Sequence, residues 1–215
     1  MSVMTGDEKH TEASSSTLDA LWVLYDRVLR VDPGMGEERD RFLLSKGHGP
    51  MAFYAVLAAK GFLDPELLRR YGSYRSPLGH HPDRMLVPGV EISSGSLGHG
   101  LPLAVGTALG LRARGLDEPR VWVLVGDGEL DEGSNFEAIA YAGRAGLERL
   151  HTIVIDNHSA TQGWPGGLEK RFAVEGWSVE RVDGRDHAAL ESAYRAPHPG
   201  RPRLVVAEVE YQPAH

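Results

Sequence analysis

Aspartate and asparagine side chains follow two apolar runs of the chain, where they could supply oxygen ligands to a cation. Val121–Val125 is closed by Gly126-Asp127-Gly128, and Thr152–Ile155 is followed by Asp156-Asn157. Such runs are typical of buried parallel strands, and open parallel sheets bind ligands beyond the carboxyl ends of their strands. Carboxylate and amide oxygens suit Mg²⁺, and glycines let the backbone approach a phosphate closely. The pattern predicts a Mg²⁺ site that bridges phosphate groups.

The same residues have an ordinary alternative interpretation. Gly-Asp-Gly also forms common turns, and Asp-Asn pairs are frequent in loops. The Asp-Asn pair about thirty residues later, at the end of a second apolar run, favours a site over two unrelated turns. A backbone carbonyl, such as that of Ser159, would complete the oxygen coordination.

Helical and strand patterns alternate along the rest of the chain. Between the two runs, residues 129–147 carry Phe136, Ile139 and Gly143 at helical spacing. The remaining patterns predict helices at 18–30, 50–60, 101–111, 168–175 and 186–194, and strands at 177–182 and 203–209. This alternation predicts an α/β fold with a doubly wound, mostly parallel sheet flanked by helices.

Composition narrows the class of protein. The chain has 215 residues, a net charge of -7 and no cysteine. The length fits a single domain, which we expect at residues 17–215 behind a polar tail at 1–16. The negative charge argues against a nucleic-acid surface, and the lack of cysteine excludes thiolate chemistry. No apolar run reaches transmembrane length, so a cytoplasmic location is expected.

Histidines in glycine-rich stretches are the candidate proton carriers. His48 lies within Ser45-Lys46-Gly47-His48-Gly49, and His81 follows His80 in a proline-containing loop. Imidazole exchanges protons near neutral pH, which suits general acid–base catalysis. A lone histidine is nevertheless often structural, so the pattern leaves both roles open.

Three stretches together resemble the transketolase family. GDGELDEG followed by IDN is similar to the thiamine diphosphate motif, in the form that the transketolase family has. DRFLLSKGHG at 40–49 and HPDRMLVPGVEISSGSLGHG at 81–100 resemble two further family motifs, in the same order. The resemblance runs from about Leu18 to Val209 and matches the first, diphosphate-binding domain of a transketolase.

The resemblance implies thiamine diphosphate and Mg²⁺ as cofactors, and assigns residues to them. The implied metal ligands are Asp127, Asn157 and the carbonyl of Ser159. The implied catalytic residues are His48, His81 and Glu132. The residues implied in cofactor binding are His48, Gly95, Ser96, Leu97, Gly126, Asp127, Gly128, Glu129 and Asn157. Glu132 would couple two active sites, although acids at 129–132 also suit the start of a helix.

The resemblance also implies a partner. The family's second domain, which supplies the carboxylate that activates the cofactor, has no counterpart in this sequence. The chain is similar to the amino-terminal subunit of a split transketolase, which acts with a separate pyrimidine-domain subunit, two copies of each. The implied reaction is transfer of a two-carbon ketol unit. Decarboxylation or carboligation of a non-sugar ketoacid, and a non-catalytic scaffold role, are the alternatives.

The sequence departs from the family pattern at several histidines. His99 stands where the family usually has Gln, and His80 where it often has Gly. Of the family's substrate-contacting Gly-His-Pro-Gly stretch only His10 remains, and the family's Lys-Gly-rich segment near the end of this domain is missing. These departures affect the expected substrate and the closure over the cofactor, and they leave both side-chain metal ligands in place.

Overall fold

The computed structural model describes residues 3–4, 11–47 and 49–210. Two of the histidines singled out above, His10 and His48, lie outside the described residues.

Within the described residues, five parallel strands form one sheet, in the order β1-β2-β3-β5-β4. The strands are β1 (Arg41–Leu44), β2 (Val121–Gly126), β3 (Leu150–Asp156), β4 (Ser178–Asp183) and β5 (Arg203–Glu208). The central strands β2 and β3 are buried along their whole length, as their apolar composition predicts. The α/β, doubly wound fold expected from the sequence is confirmed.

Alternate residues of each strand point into two apolar layers, each covered by helices. The helices are α1 (Thr11–Val23), α2 (Pro50–Ala59), α3 (Gly100–Ala113), α4 (Gly133–Arg144), α5 (Leu168–Ala173) and α6 (His187–Arg195). In β2, Trp122 and Leu124 pack with residues of α2 and α6, whereas Val123 and Val125 pack with residues of α3 and α4. The period-two alternation of a strand therefore divides the core between the two faces.

The edge strand β1 was not predicted. It has only four residues, too few to show a period, and it is a strand because it pairs with β2 from Arg41↔Val121 to Leu44↔Leu124. This pairing places residues 45–47 at the carboxyl edge of the sheet, beside the predicted metal site.

Two helix boundaries also differ from the prediction. Helix α1 begins at Thr11, not Leu18, so residues 11–16 of the predicted polar tail belong to this helix. Tertiary contacts explain the earlier start, since Ser16 and Thr17 are buried and Ser16 Oγ accepts a hydrogen bond from Lys46 Nζ at 2.9 Å. Helix α1 continues as a π-helical turn at Leu24–Val28.

The predicted helix at 129–147 is divided. A 3₁₀ turn, Gly128–Asp131, precedes α4, which begins at Gly133. The division follows from the burial of Glu129, whose side chain points into the protein and not along the surface of a helix.

Candidate functional site

Three loops meet at the carboxyl edge of the sheet. They follow β1, β2 and β3, and they contain residues 45–47, 126–128 and 157–160. Ser45 N and Lys46 N both donate to Leu124 O, at 2.9 and 3.1 Å, and Asp127 N donates to Ile155 O at 3.1 Å. Strand pairing therefore holds the three loops side by side, although they come from distant parts of the chain.

Asp127 is a buried carboxylate that binds the loop after β3. Its side chain is 2% exposed. Oδ1 accepts from Ser159 Oγ at 2.7 Å, and Oδ2 accepts from Ser159 N at 2.6 Å and Ala160 N at 2.9 Å. Ser159 thus contacts Asp127 through its amide and hydroxyl groups. A metal ion at Oδ1 would compete with the hydroxyl alone, since both amides donate to the other oxygen.

Asn157 supplies the second polar group at this edge. Its Oδ1 is buried and has no hydrogen-bond partner among the described residues. A buried acceptor without a partner is costly, and either a hydrogen-bond donor or a cation would satisfy it. The next residue, His158, has a φ of 57°, a conformation that is uncommon for residues other than glycine. The donor set of Asp127 and Asn157 fits Mg²⁺, which prefers oxygen ligands.

His81 lies against the two stretches predicted to contact the cofactor. His81 Nδ1 is 3.0 Å from Gly47 O. A Cβ on Gly95, where φ is +125°, would lie 3.0 Å from His81 Cγ, so only glycine fits there without displacing the ring. The fold thereby brings together residues 47, 81 and 95, while Ser96 and Leu97 stay exposed at the same end of the sheet.

Glu129 and Lys46 lie beneath these loops. Glu129 is 3% exposed, and its carboxylate accepts from Ser45 Oγ, Gly98 N and Gly126 N. Burial raises the pKa of Glu129, against the effect of these donors and of Lys46. Burial lowers the pKa of Lys46 to about 8, against the attraction of Asp127 and Glu129. The sequence did not single out Ser45 or Lys46, although their position just before Gly-His-Gly was a usable signal.

The remaining candidates occupy the surrounding surface. Glu132 is the N-cap residue of α4, is exposed, and packs against Gly98 so closely that a Cβ there would lie 2.5 Å from Glu132 Cβ. His80 faces Tyr71, with Nδ1 3.4 Å from the hydroxyl oxygen. His99 is exposed, and its Nδ1 is 3.1 Å from Leu97 O. The fold brings Glu132 to the predicted cofactor segment and turns His80 towards a tyrosine.

An open cleft of about 600 Å³ extends from Asp127 over the ends of β3 and β5. Arg181 lines it and binds Asp156, Glu169 and Glu208, with an Nη1–Oδ2 distance of 2.9 Å to Asp156.

Within the described part of the chain, no helix has the length and apolar character needed to cross a membrane.

Comparison with known proteins gives the family. Residues 2–209 match the transketolase, thiamine diphosphate binding domain. Over 207 residues the chain is 37% identical to an apulose-4-phosphate transketolase subunit of Actinobacillus succinogenes, covering 92% of this chain and 75% of the relative. It is 58% identical over 216 residues to a Rhodococcoides fascians protein named ferredoxin fas2, covering 100% of this chain and 71% of the relative.

Solved structures of transketolases have the same fold as this chain. A transketolase from Leishmania mexicana superposes with a TM-score of 0.75 at 25% identity, covering 95% of this chain. A transketolase from Pichia stipitis superposes with a TM-score of 0.77 at 25% identity, covering 94% of this chain. The chain spans 37% and 36% of those two proteins.

These matches confirm the prediction of a transketolase-like enzyme subunit that carries the diphosphate-binding domain. Several relatives are themselves named as subunits of a transketolase, which is the split arrangement that the sequence predicted. The chain belongs to the transketolase family, within its thiamine diphosphate binding domain.

Proposed function

We propose that this chain binds thiamine diphosphate with Mg²⁺ and serves as one subunit of an enzyme that transfers a two-carbon ketol unit. The observation that carries the proposal is the pair Asp127 and Asn157 at the ends of β2 and β3, with Asn157 Oδ1 buried and unpartnered among the described residues. Asp127, Asn157 and the Ser159 carbonyl would hold Mg²⁺. The turn at 126–128 would hold the diphosphate, and residues 95–97 the ring.

The cofactor and the protein would divide the work. When bound, thiamine diphosphate supplies the electron sink that stabilises a carbanion. His81 would exchange protons with substrate oxygens. The carbonyl of Gly47 can only accept a hydrogen bond, so His81 Nδ1 carries a proton and Nε2 is the nitrogen that gains or loses one. His48 and Glu132 are proposed to act in the same reaction, as the sequence predicts.

A second polypeptide completes the proposed enzyme. The relatives named as transketolase subunits support a partner that carries the pyrimidine domain and its activating carboxylate. Two of these relatives are named for apulose-4-phosphate and for 6-deoxy-6-sulfo-D-fructose, which favours ketoses that bear an anionic group as substrates. The two-plus-two stoichiometry and the cytoplasmic location stay predictions.

A different reaction is the second candidate. The relative at 58% identity is named a ferredoxin, which favours oxidative decarboxylation of a 2-ketoacid with electrons passed to an iron–sulfur protein. Iron–sulfur clusters are held by cysteine thiolates, and this chain has no cysteine, so the cluster would belong to another chain.

Two measurements test these proposals. Calorimetric titration of the assembled complex with thiamine diphosphate and Mg²⁺ should show binding that Asp127→Ala and Asn157→Ala abolish, with folding intact. Unchanged affinity in both variants would refute the metal assignment. Assays with ketose phosphates, sulfonated ketoses and 2-ketoacids, each with and without a one-electron acceptor, separate the two reactions. Turnover of a 2-ketoacid that requires the one-electron acceptor, with no turnover of any ketose, would reject ketol transfer.

A further inference from the structure

The buried carboxylate of Glu129 joins the three segments predicted to surround the cofactor. Oε1 accepts from Ser45 Oγ, in the loop after β1, and from Gly98 N at 3.0 Å. Oε2 accepts from Gly126 N at 3.3 Å, at the start of the turn predicted to hold the diphosphate. We call this set of contacts the Glu129 tie. Ser45, Gly98 and Gly126 are far from one another in sequence, and Glu129 is the residue that they all contact.

The tie fixes the segment that leads from the predicted ring-holding residues into α3. Gly98 is held at both its polar groups, because Ser134 Oγ donates to Gly98 O at 2.6 Å while Gly98 N donates to Glu129. Ser45 extends the tie by two residues, since its Oγ accepts from Gly100 N at 3.0 Å. The segment therefore has little freedom to move independently of Glu129.

The end of the tie at Gly126 is equally confined. The side chain of Lys46 packs over Gly126, where an added Cβ would lie 3.5 Å from Lys46 Cγ. Asn135 Nδ2 donates to the backbone carbonyl of Glu129 at 2.6 Å, which holds the residue itself in place. A shift of the 126–128 turn would consequently be passed through Glu129 to Gly98.

We propose that Glu129 is a positioning residue, which sets the spacing between the 126–128 turn and the 95–98 segment and makes binding of the two halves of the cofactor cooperative. The proposal rests on the proposed function, because the two halves are the diphosphate and the ring of thiamine diphosphate. The Glu129 carboxylate is buried and accepts from Ser45, Gly98 and Gly126, so its effect on the cofactor is exerted through the segments that contain them.

Glu129→Gln is the matched perturbation. The variant keeps the volume of the side chain but replaces one acceptor oxygen with an NH₂ donor, which must face Gly98 N or Gly126 N, themselves donors. A hydrogen bond to a charged group contributes about 1.5–3 kcal/mol, so affinity for thiamine diphosphate should fall roughly 10- to 150-fold. Inorganic diphosphate with Mg²⁺ occupies one segment only, so its affinity should fall less than about threefold. Such a loss corresponds to less free energy than one such hydrogen bond contributes.

Both affinities are measured by calorimetry on the assembled complex, with the exposed Glu137→Gln on α4 as control. An equal loss for the two ligands, or no loss for thiamine diphosphate, would overturn the proposal.

A cofactor-free measurement separates this proposal from the proposed function. Amide hydrogen exchange of the chain alone should be faster at Gly98 and Gly126 in Glu129→Gln than in Glu137→Gln, with other buried strands unchanged. A wild-type complex that binds no thiamine diphosphate would reject the proposed function. Unchanged exchange at both glycines would reject the tie.

Discussion

Removing the Ser159 hydroxyl should strengthen metal binding. Oδ1 of Asp127 is held by that hydroxyl at 2.7 Å, whereas Oδ2 is held by two backbone amides at 2.6 and 2.9 Å. A Mg²⁺ ion that binds Oδ1 competes with the hydroxyl for that oxygen, and the amides can remain. The hydroxyl is therefore a competitor of the metal ion in the proposed site.

The size of the effect follows from the kind of bond that is broken. A hydrogen bond to a charged group contributes about 1.5–3 kcal/mol. Water would solvate Oδ1 in the variant and return part of that energy, so we expect the lower end of the range. Ser159→Ala should bind Mg²⁺ about tenfold more tightly, which corresponds to about 1.4 kcal/mol.

The assay is calorimetric titration of the assembled complex with Mg²⁺ at saturating thiamine diphosphate. Thr161→Ala is the control, since Thr161 is exposed in the same loop. Weaker binding by Ser159→Ala would show that the hydroxyl supports the metal site, and unchanged binding would show that it does not compete. Either result would refute the reasoning.

Three further predictions concern stability and catalysis. Gly143→Ala should destabilise the chain by about 2 kcal/mol in denaturant unfolding, because the new Cβ would lie 1.7 Å from Glu175 O. Gly106→Ala, where a Cβ meets nothing within 4 Å, should instead stabilise it by roughly 1 kcal/mol; equal effects would contradict the packing argument. Asp40→Asn should cost about 3 kcal/mol, since this buried carboxylate binds two arginines. Burial acts to raise the pKa of Asp40, but hydrogen bonds from those arginines hold this pKa below its usual value. The difference in stability between the wild type and Asp40→Asn should therefore persist above about pH 4 and shrink as the pH falls further. A difference that does not depend on pH would contradict this prediction. His81→Ala should lower turnover by about a hundredfold or more while cofactor affinity stays within roughly threefold, and near-normal turnover would make the histidine structural.

The sequence alone determined the class of fold and the position of the candidate metal site. Apolar runs such as Val121–Val125 form strands that are buried on both faces, and the apolar composition of the run alone predicts this burial. Asp127 and Asn157 each lie two residues beyond such a run, so their placement at one edge of the sheet needed no further information.

Contacts between distant segments decided the rest. Strand β1 is too short to show a period and exists through its pairing with β2. Helix α1 begins early because Ser16 is held by Lys46, thirty residues away. The sequence pattern is typical of an acidic residue at the start of a helix for Glu129. In the structure this side chain is buried and accepts from Gly98 N and Gly126 N. Local sequence encodes propensity and period, whereas these features depend on which groups the folded chain brings into hydrogen-bonding distance, and that is settled by the packing of the whole domain.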